Sequence, residues 1–325
     1  MSIFNSEKII NTTKINDKLN IYYVGYDLGK YRNDELVEQI LRVIVDFAYG
    51  FHDGILENSY NIDLLRESAK SIYKIQTFEK VKKIYVDNDN EINDSIEDKF
   101  LRRGEFGELI LHLLLRDFYN SLPLLSKIYF KDSDGHTVHG FDAVHIAPDI
   151  NDKSKFSLWL GESKLYTNGK AGVKALTKDI EEHFNIKYLR REFALISKKK
   201  NSYVALDKFE DLNKKSEYEI FLKKQEEWYD KLDEQEKLQD ILSSVTIPML
   251  CTYSSDTFNK HTDETLDGFK KDLEKEIKDI EKHFHDNLTS PIAFDLNIVL
   301  LLFPVPSKKE LVKQLHIKLN HLQGI

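Results

Sequence analysis

Glu162 and Lys164 stand two residues apart in Gly161-Glu162-Ser163-Lys164, at the end of an apolar run that begins at Phe156. Alternate side chains of an extended strand share a face, so this carboxylate and this ammonium point the same way. The pair suits hydrolysis: a carboxylate holds a divalent cation, and an ammonium orients an attacking water or offsets charge on a phosphate. A second carboxylate, Asp142, lies upstream in His139-Gly140-Phe141-Asp142-Ala143-Val144-His145. If the two segments pair across the polar turn Pro148 to Ser154, Asp142 sits opposite Glu162 or near it. Two carboxylates on neighbouring strands form a hard oxygen site suited to Mg2+, with Mn2+ able to substitute. Alone, E-x-K is a weak signal, and a structural Glu–Lys pair at a strand end competes with it.

The elements that must position these residues follow from hydrophobic period and turn chemistry. A helix is predicted from about Ile96 to Tyr119, with Phe106, Leu109, Ile110, Leu113 and Leu114 on a broad apolar face. Pro123 stops it, and Leu124 to Lys131 reads as a strand. Asp132-Ser133-Asp134-Gly135 is a hairpin turn, His136 to Ala147 the returning strand, and Lys155 to Tyr166 a third strand. Asn168-Gly169 closes that strand, and a helix is predicted from near Lys170 towards Ser197. The order is therefore helix, three hairpin-linked strands, helix. Val245 to Tyr253 and Phe294 to Phe303 read as later, buried strands. Residues 203–242 and 258–288 are charged and helical in period, as insertions or an accessory helical layer. Ser307 to Glu310 forms a capping box that opens a final helix.

Upstream, residues 20–27 read as a strand, Asn33 to about Tyr49 as a helix, and Asp63 to Phe78 as a second helix. The acidic, Asn-rich residues 86–97 read as a loop and a soft boundary. The organisation expected is an N-terminal extension over 1–95, a strand plus helices packing on the core, and a nuclease-like domain over 96–325.

Composition limits the function classes. The chain has 325 residues, a formal net charge of −8 and a single cysteine, Cys251. One cysteine excludes an internal disulfide framework and a Cys-rich zinc site; it falls in an apolar strand and reads as a small buried hydrophobe. No segment approaches the length of a transmembrane span, and Met1 to Lys14 shows no export signal, so a cytoplasmic protein is expected. A stand-alone nucleic-acid binder is usually basic. Positive charge is instead local: Lys164 through Lys200 holds ten Lys/Arg against four acids. Within it Lys170, Lys174 and Lys178 recur at helical spacing, either as an ordinary solvated face or as a DNA-steering stripe. In a regular strand His139 and His145 fall on the face opposite Asp142, which argues against a His-Asp-His metal site. His112, four residues after Glu108, reads as packing, with a place facing the cleft behind the acids as the alternative, and His283 and His285 read as surface. No phosphate-cradling glycine loop or Walker-type lysine is present.

The helix–strand–strand–strand–helix order with Asp142 and Glu162-x-Lys164 resembles the PD-(D/E)xK nuclease superfamily. The resemblance implies an α/β (α+β) fold with a restriction-endonuclease-like core, a mixed central sheet flanked by helices. It matches the second-strand acid to Asp142 and the E-x-K to Glu162 and Lys164. A glutamate on the first helix, several residues after a glycine, matches Glu108 in Arg103-Gly104-Glu105-Phe106-Gly107-Glu108, with Glu105 as the rival. Phe141 stands where the proline of the motif's name is expected.

Three strings carry a closer resemblance: Arg-Gly-Glu-Phe-Gly-Glu-Leu at 103–109, Gly-Phe-Asp-Ala-Val-His at 140–145 and Leu-Trp-Leu-Gly-Glu-Ser-Lys-Leu-Tyr at 158–166. They are similar to the HamA family, effectors of the Hachiman anti-phage system, strongly over about residues 100–200. This implies a DNA-degrading effector held with a helicase subunit (HamB-like) that activates or restrains it, and a partner that brings DNA would account for the acidic charge. The roles expected are Asp142 and Glu162 as Mg2+ ligands, Glu108 assisting through metal or water, and Lys164 orienting the nucleophile. The alternative is a catalytically silent adaptor of the same fold that docks a nucleic-acid-processing partner.

Overall fold

Two runs of nearly unbroken apolar residues form the middle of the sheet, because strands covered on both faces have no solvent side to fill with polar groups. The computed structural model describes residues 4–50, 62–72, 104–125, 140–197, 212–233, 238–289 and 296–324. A hairpin of β1 (Ile10–Asn16) and β2 (Leu19–Val24) comes first, then a small ribbon of β3 (Tyr26–Asp27) and β4 (Lys30–Tyr31). Helices α1 (Asn33–Arg42), α2 (Ile44–Tyr49), α3 (Ile62–Ile72) and α4 (Gly104–Phe118) precede β5 (Leu122–Pro123), β6 (Ala143–Pro148) and β7 (Phe156–Tyr166). Next come α5 (Gly169–His183), α6 (Ile186–Ser197), α7 (Leu212–Asp233) and α8 (Leu238–Leu242). Strand β8 (Val245–Ser254), helices α9 (Thr257–Lys260) and α10 (Asp267–Asn287), strand β9 (Asn297–Val305) and helix α11 (Lys308–Gly324) follow.

Seven strands join in the order β1-β2-β9-β8-β7-β6-β5. Pairing is parallel from β2 through β9 and β8 to β7, and antiparallel at both ends. The architecture is α/β, a mixed central sheet flanked by helices. On one face Val144, Ile146, Leu158 and Leu160 pack with Val173, Leu176 and Ile180 of α5 and with Phe269, Leu273 and Ile277 of α10. On the other, Ala143, Trp159 and Leu165 pack with α4 and with Leu311 and Leu315 of α11. Each fully buried Leu or Phe contributes about 1.5–3 kcal/mol, so the two layers can offset a few charged groups held between them.

Close approach on both faces depends on glycine. A Cβ added at Gly161 would lie 2.8 Å from Leu111 Cδ2 of α4, and one at Gly172 would lie 2.5 Å from Cys251 Sγ of β8. Side chains at either position would push a helix off the sheet. Cys251 is buried, and burial pushes its thiol up to about 12, so it packs as a small apolar residue.

Several boundaries differ from the sequence expectation. The helix expected over Asn33 to Tyr49 breaks at Val43, and the one expected over Lys170 to Ser197 breaks after His183. At the second break Asn185 caps α6, its Oδ1 accepting from Tyr188 N at 3.0 Å while its Nδ2 donates to Glu182 O at 2.7 Å. The strand expected at 20–27 is β2 with the short β3, and β1 precedes it. The strand expected at Leu124 begins earlier, with β5 at Leu122–Pro123. Residues 126–139, which include the rest of that strand, its turn and His139, lie outside the described residues, as do the loop at 86–97 and residues 73–78 and 96–103 of the two expected helices. The N-terminal segment contributes β1 and β2 to the sheet itself. The charged segment around α10 buries Phe269, Leu273, Ile277, Ile280 and Phe284 and so belongs to the helical layer over α5.

Candidate functional site

Alternation along β7 places Leu158, Leu160, Glu162 and Lys164 on the face covered by α5, and Trp159, Gly161, Ser163 and Leu165 on the face covered by α4. The site lies where the sheet is irregular. Pairing of β7 with β8 runs through Trp159 with Thr246 and resumes at Glu162 with Met249. Between them stands Pro248, which has no N–H to give to a ladder.

Strand β6 starts at Ala143, opposite Gly161, so Asp142 stands one step outside the paired register. Its carboxylate completes the pairing that the backbone leaves open. Asp142 Oδ2 accepts from Ser163 N at 2.8 Å and from Ser163 Oγ at 2.8 Å. Phe141 beside it is buried against Phe184, at a ring separation of 5.2 Å, and against Tyr188 at 5.9 Å. An aromatic anchor thus fixes the approach to Asp142.

Glu162 is 2% exposed. Burial, then the nearby Asp142, pushes its carboxyl up to about 8, although His183 pulls the other way. Burial alone would lower the Lys164 ammonium; Asp179, then Glu162 and Asp142, outweigh it and hold it above its ordinary value. Asp142, Glu162 and Lys164 are therefore one electrostatic unit: the structure brings together three of the residues singled out in the sequence.

Helix α5 supplies two more that the sequence reading did not single out. Lys164 Nζ lies 2.5 Å from Asp179 Oδ2, and His183 Nδ1 hydrogen-bonds with Glu162 Oε1 at 2.7 Å. Burial lifts the Asp179 carboxyl despite the lysine beside it. His183 is raised by its bond to Glu162 against burial, and its ring stacks on Tyr188 at 4.8 Å and 13°. Glu192 on α6 adds a further buried carboxylate, raised by burial, that senses His183. The available signal was spacing: Asp179 and His183 are four apart on the helix that follows an E-x-K strand.

Glu108 is buried on α4, and its neighbour Gly107 lies over Ser163, with an ideal Cβ 3.0 Å from Ser163 Oγ. Glu105 is half-buried one turn earlier. Among the described residues no group of three His, Cys, Asp or Glu is close enough to hold a metal, so Glu108 is not gathered with Asp142 and Glu162. Lys170, Lys174 and Lys178 are all exposed on α5. Lys170 pairs with Asp279 at 2.6 Å and Lys178 with Glu182 at 3.1 Å.

His145 does point away from Asp142, towards α4, and there it enters a buried polar chain with His112. Ser121 Oγ lies 2.8 Å from His145 Nδ1, His145 Nε2 lies 3.2 Å from His112 Nδ1, and His112 Nε2 lies 2.6 Å from Asp46 Oδ1. Arg116 Nε donates to the same Asp46 oxygen at 2.9 Å. His112 is thus more than apolar packing: it ties α4 to α2 and β6.

The donor set suits a hard divalent cation. Glu162 is buried with Asp142 near enough to disfavour its ionisation, a conflict that a cation held between them would relieve. No helix among the described residues is long and apolar enough to cross a membrane. No curated relative matches the chain. The HamA family model matches residues 2–319, essentially the whole chain. The chain belongs to the HamA family, a family of Hachiman defence proteins.

Proposed function

We propose that the chain is a metal-dependent deoxyribonuclease of PD-(D/E)xK type, the effector subunit of an anti-phage complex in the cytoplasm, acting on DNA with a helicase partner. The observation that carries this reading is the coupling of Asp142, Glu162 and Lys164 at the β6–β7 junction, where burial and Asp142 keep Glu162 protonated to about pH 8. A fold rarely keeps such a group without a use for it. Asp142 and Glu162 would hold Mg2+, or Mn2+ in its place, with Glu108, outside that pair on α4, assisting through a water. The cation, when bound, supplies Lewis acidity at the scissile phosphate and a water of lowered pKa. Lys164 keeps its proton and stands beside the acids, where it orients the attacking water or offsets phosphate charge. Lys170, Lys174 and Lys178 steer the DNA backbone, with Lys174 the one that no acid pairs in the described structure.

The test supplies Mg2+, DNA and the helicase to the wild type and to Glu162→Ala and Lys164→Ala. Cleavage by the wild type alone is expected; cleavage by both variants at the wild-type rate overturns the assignment.

A catalytically silent adaptor is the second reading, favoured by one observation: both members of the E-x-K are already engaged by α5. Calorimetry separates the two. Mn2+ binding that Asp142→Ala abolishes supports the nuclease, and no binding by the wild type supports the adaptor.

A further inference from the structure

We propose that Asp179 and His183 are positioning residues that fix Lys164 and Glu162 respectively, so that E-x-K on β7 works as a set with D-x-x-x-H on α5. The proposal rests on the nuclease reading above. Its basis is a match of two periods. Four residues of helix advance about 6 Å, at 1.5 Å per residue. Two residues of strand advance about 6.6 Å. Helix α5 runs back along β7, so the earlier helix residue, Asp179, meets the later strand residue, Lys164, and His183 meets Glu162. One register thus satisfies both charged groups at once.

Neither contact is a surface ion pair. Asp179 is 9% exposed and Glu162 2%. Buried ion pairs contribute little net stability, and apolar side chains in the same register would hold α5 at least as well. What the pairs supply is geometry. The last torsion of a glutamate is broad, and a hydrogen bond at Oε1 fixes it. A lysine has a flexible four-carbon stem, and Asp179 holds its end.

The helix itself is pinned at its start, where Asn168 Oδ1 accepts from Ala171 N at 3.0 Å and Gly172 lets the chain lie against Cys251. The imidazole is held by its stack on Tyr188 and by the edge of Phe141, at 6.4 Å and 90°.

The experiment uses the full chain, with Mn2+ titrated by calorimetry and DNA cleavage followed with the helicase present. His183→Ala is expected to weaken Mn2+ binding about 10–100-fold, the effect usual for a group that orients a metal ligand. His183→Gln, which keeps an N–H donor, restores most of that affinity. Asp179→Asn is expected to leave Mn2+ affinity near wild type and to lower kcat about 10–100-fold with KM unchanged. Asp179→Glu recovers part of that loss. Unchanged Mn2+ affinity in His183→Ala, unchanged kcat in Asp179→Asn, or faster cutting in either variant overturns the proposal. Faster cutting would mean that α5 restrains the E-x-K rather than orienting it. No Mn2+ binding by the wild type defeats the nuclease reading itself, an outcome distinct from each of these.

Discussion

Replacing Glu162 by Gln should make the metal-free protein more stable while removing its Mn2+ response. The carboxyl is almost fully buried and pushed up to about 8 from an ordinary 4.5. At pH 7 the unfolded chain ionises this group and the folded chain keeps it protonated. The linkage cost is about 1.4 kcal/mol for each pH unit above 4.5, or about 3 kcal/mol at pH 7. A folded-state value above the unfolded one means the contribution is fully favourable below pH 4.5. It is lost progressively as pH rises, and the loss is complete above about 8. Gln keeps an acceptor for His183 and has nothing to titrate.

The stability gap between Glu162→Gln and wild type should therefore open from pH 4.5, widen to about pH 8 and stay constant beyond. In thermal melts, where a kcal/mol is worth about 2–4 °C in a 150–250-residue protein and less in a longer one, the variant should melt roughly 5 °C above wild type at pH 7. Saturating Mn2+ closes the gap from the other side, since a ligand at 100 times its Kd stabilises the wild type by about 2.7 kcal/mol. A variant that melts at or below wild type near pH 8 without metal would refute the buried-acid argument. Equal Mn2+ stabilisation of both proteins would refute the metal assignment.

Asp46→Ala should cost about 3–5 kcal/mol in denaturant unfolding, because Arg116 and His112 both lose a buried partner. Burial lowers His112 and His145, so the native state refuses protons that the unfolded chain accepts. Their contribution to stability should fall as pH drops below about 6.5, against the opposite trend from Glu162, and His145→Gln should remove part of that fall. Gly161→Ala should destabilise by about 1–3 kcal/mol through overpacking against Leu111 and Ala143, read as a lower denaturant midpoint with an unchanged slope. If α5 steers DNA, Lys174→Ala should weaken binding about equally across sequences and lower the salt dependence of log K by about 1, in fluorescence anisotropy over a salt series; a sequence-dependent loss would contradict a phosphate contact.

Much of the fold was legible because its signals are local. Strands β7, β8 and β9 announce themselves as apolar runs, and the two-residue spacing of Glu162 and Lys164 fixes a common face whatever the tertiary context. What remained hidden is non-local or lacks a marker. The parallel pairing of β2 with β9 joins residues near opposite ends of the chain, and no local pattern encodes it. The break after His183 carries neither Gly nor Pro; Asn185 makes it with its side chain, and an asparagine inside a charged helical run gives no clear stop. Asp142 was placed within a strand, whereas the structure sets it just before β6, where its carboxylate bonds the backbone of Ser163. Asp179 and His183 have no marker of their own in the sequence, since the stronger periodic signal on that helix is the exposed lysine stripe. Their relation to β7 appears only when two different repeats are laid side by side.

The charge balance of the site bears on how such an effector would meet DNA. Inside, Asp179, Glu162 and Asp142 act on Lys164 while Glu192 acts on His183, so the positive groups of the site are already matched by acids. Outside, two of the three lysines on α5 are offset by Asp279 and Glu182, and the chain as a whole carries −8. A polyanion approaching α5 meets two lysines that are already offset, which reduces the gain from counterion release there. Under the proposed function, a partner that holds the duplex or the separated strand against the β6–β7 junction would supply much of the affinity for DNA. On that reading cutting would depend on docking even if the metal site is competent in the isolated chain.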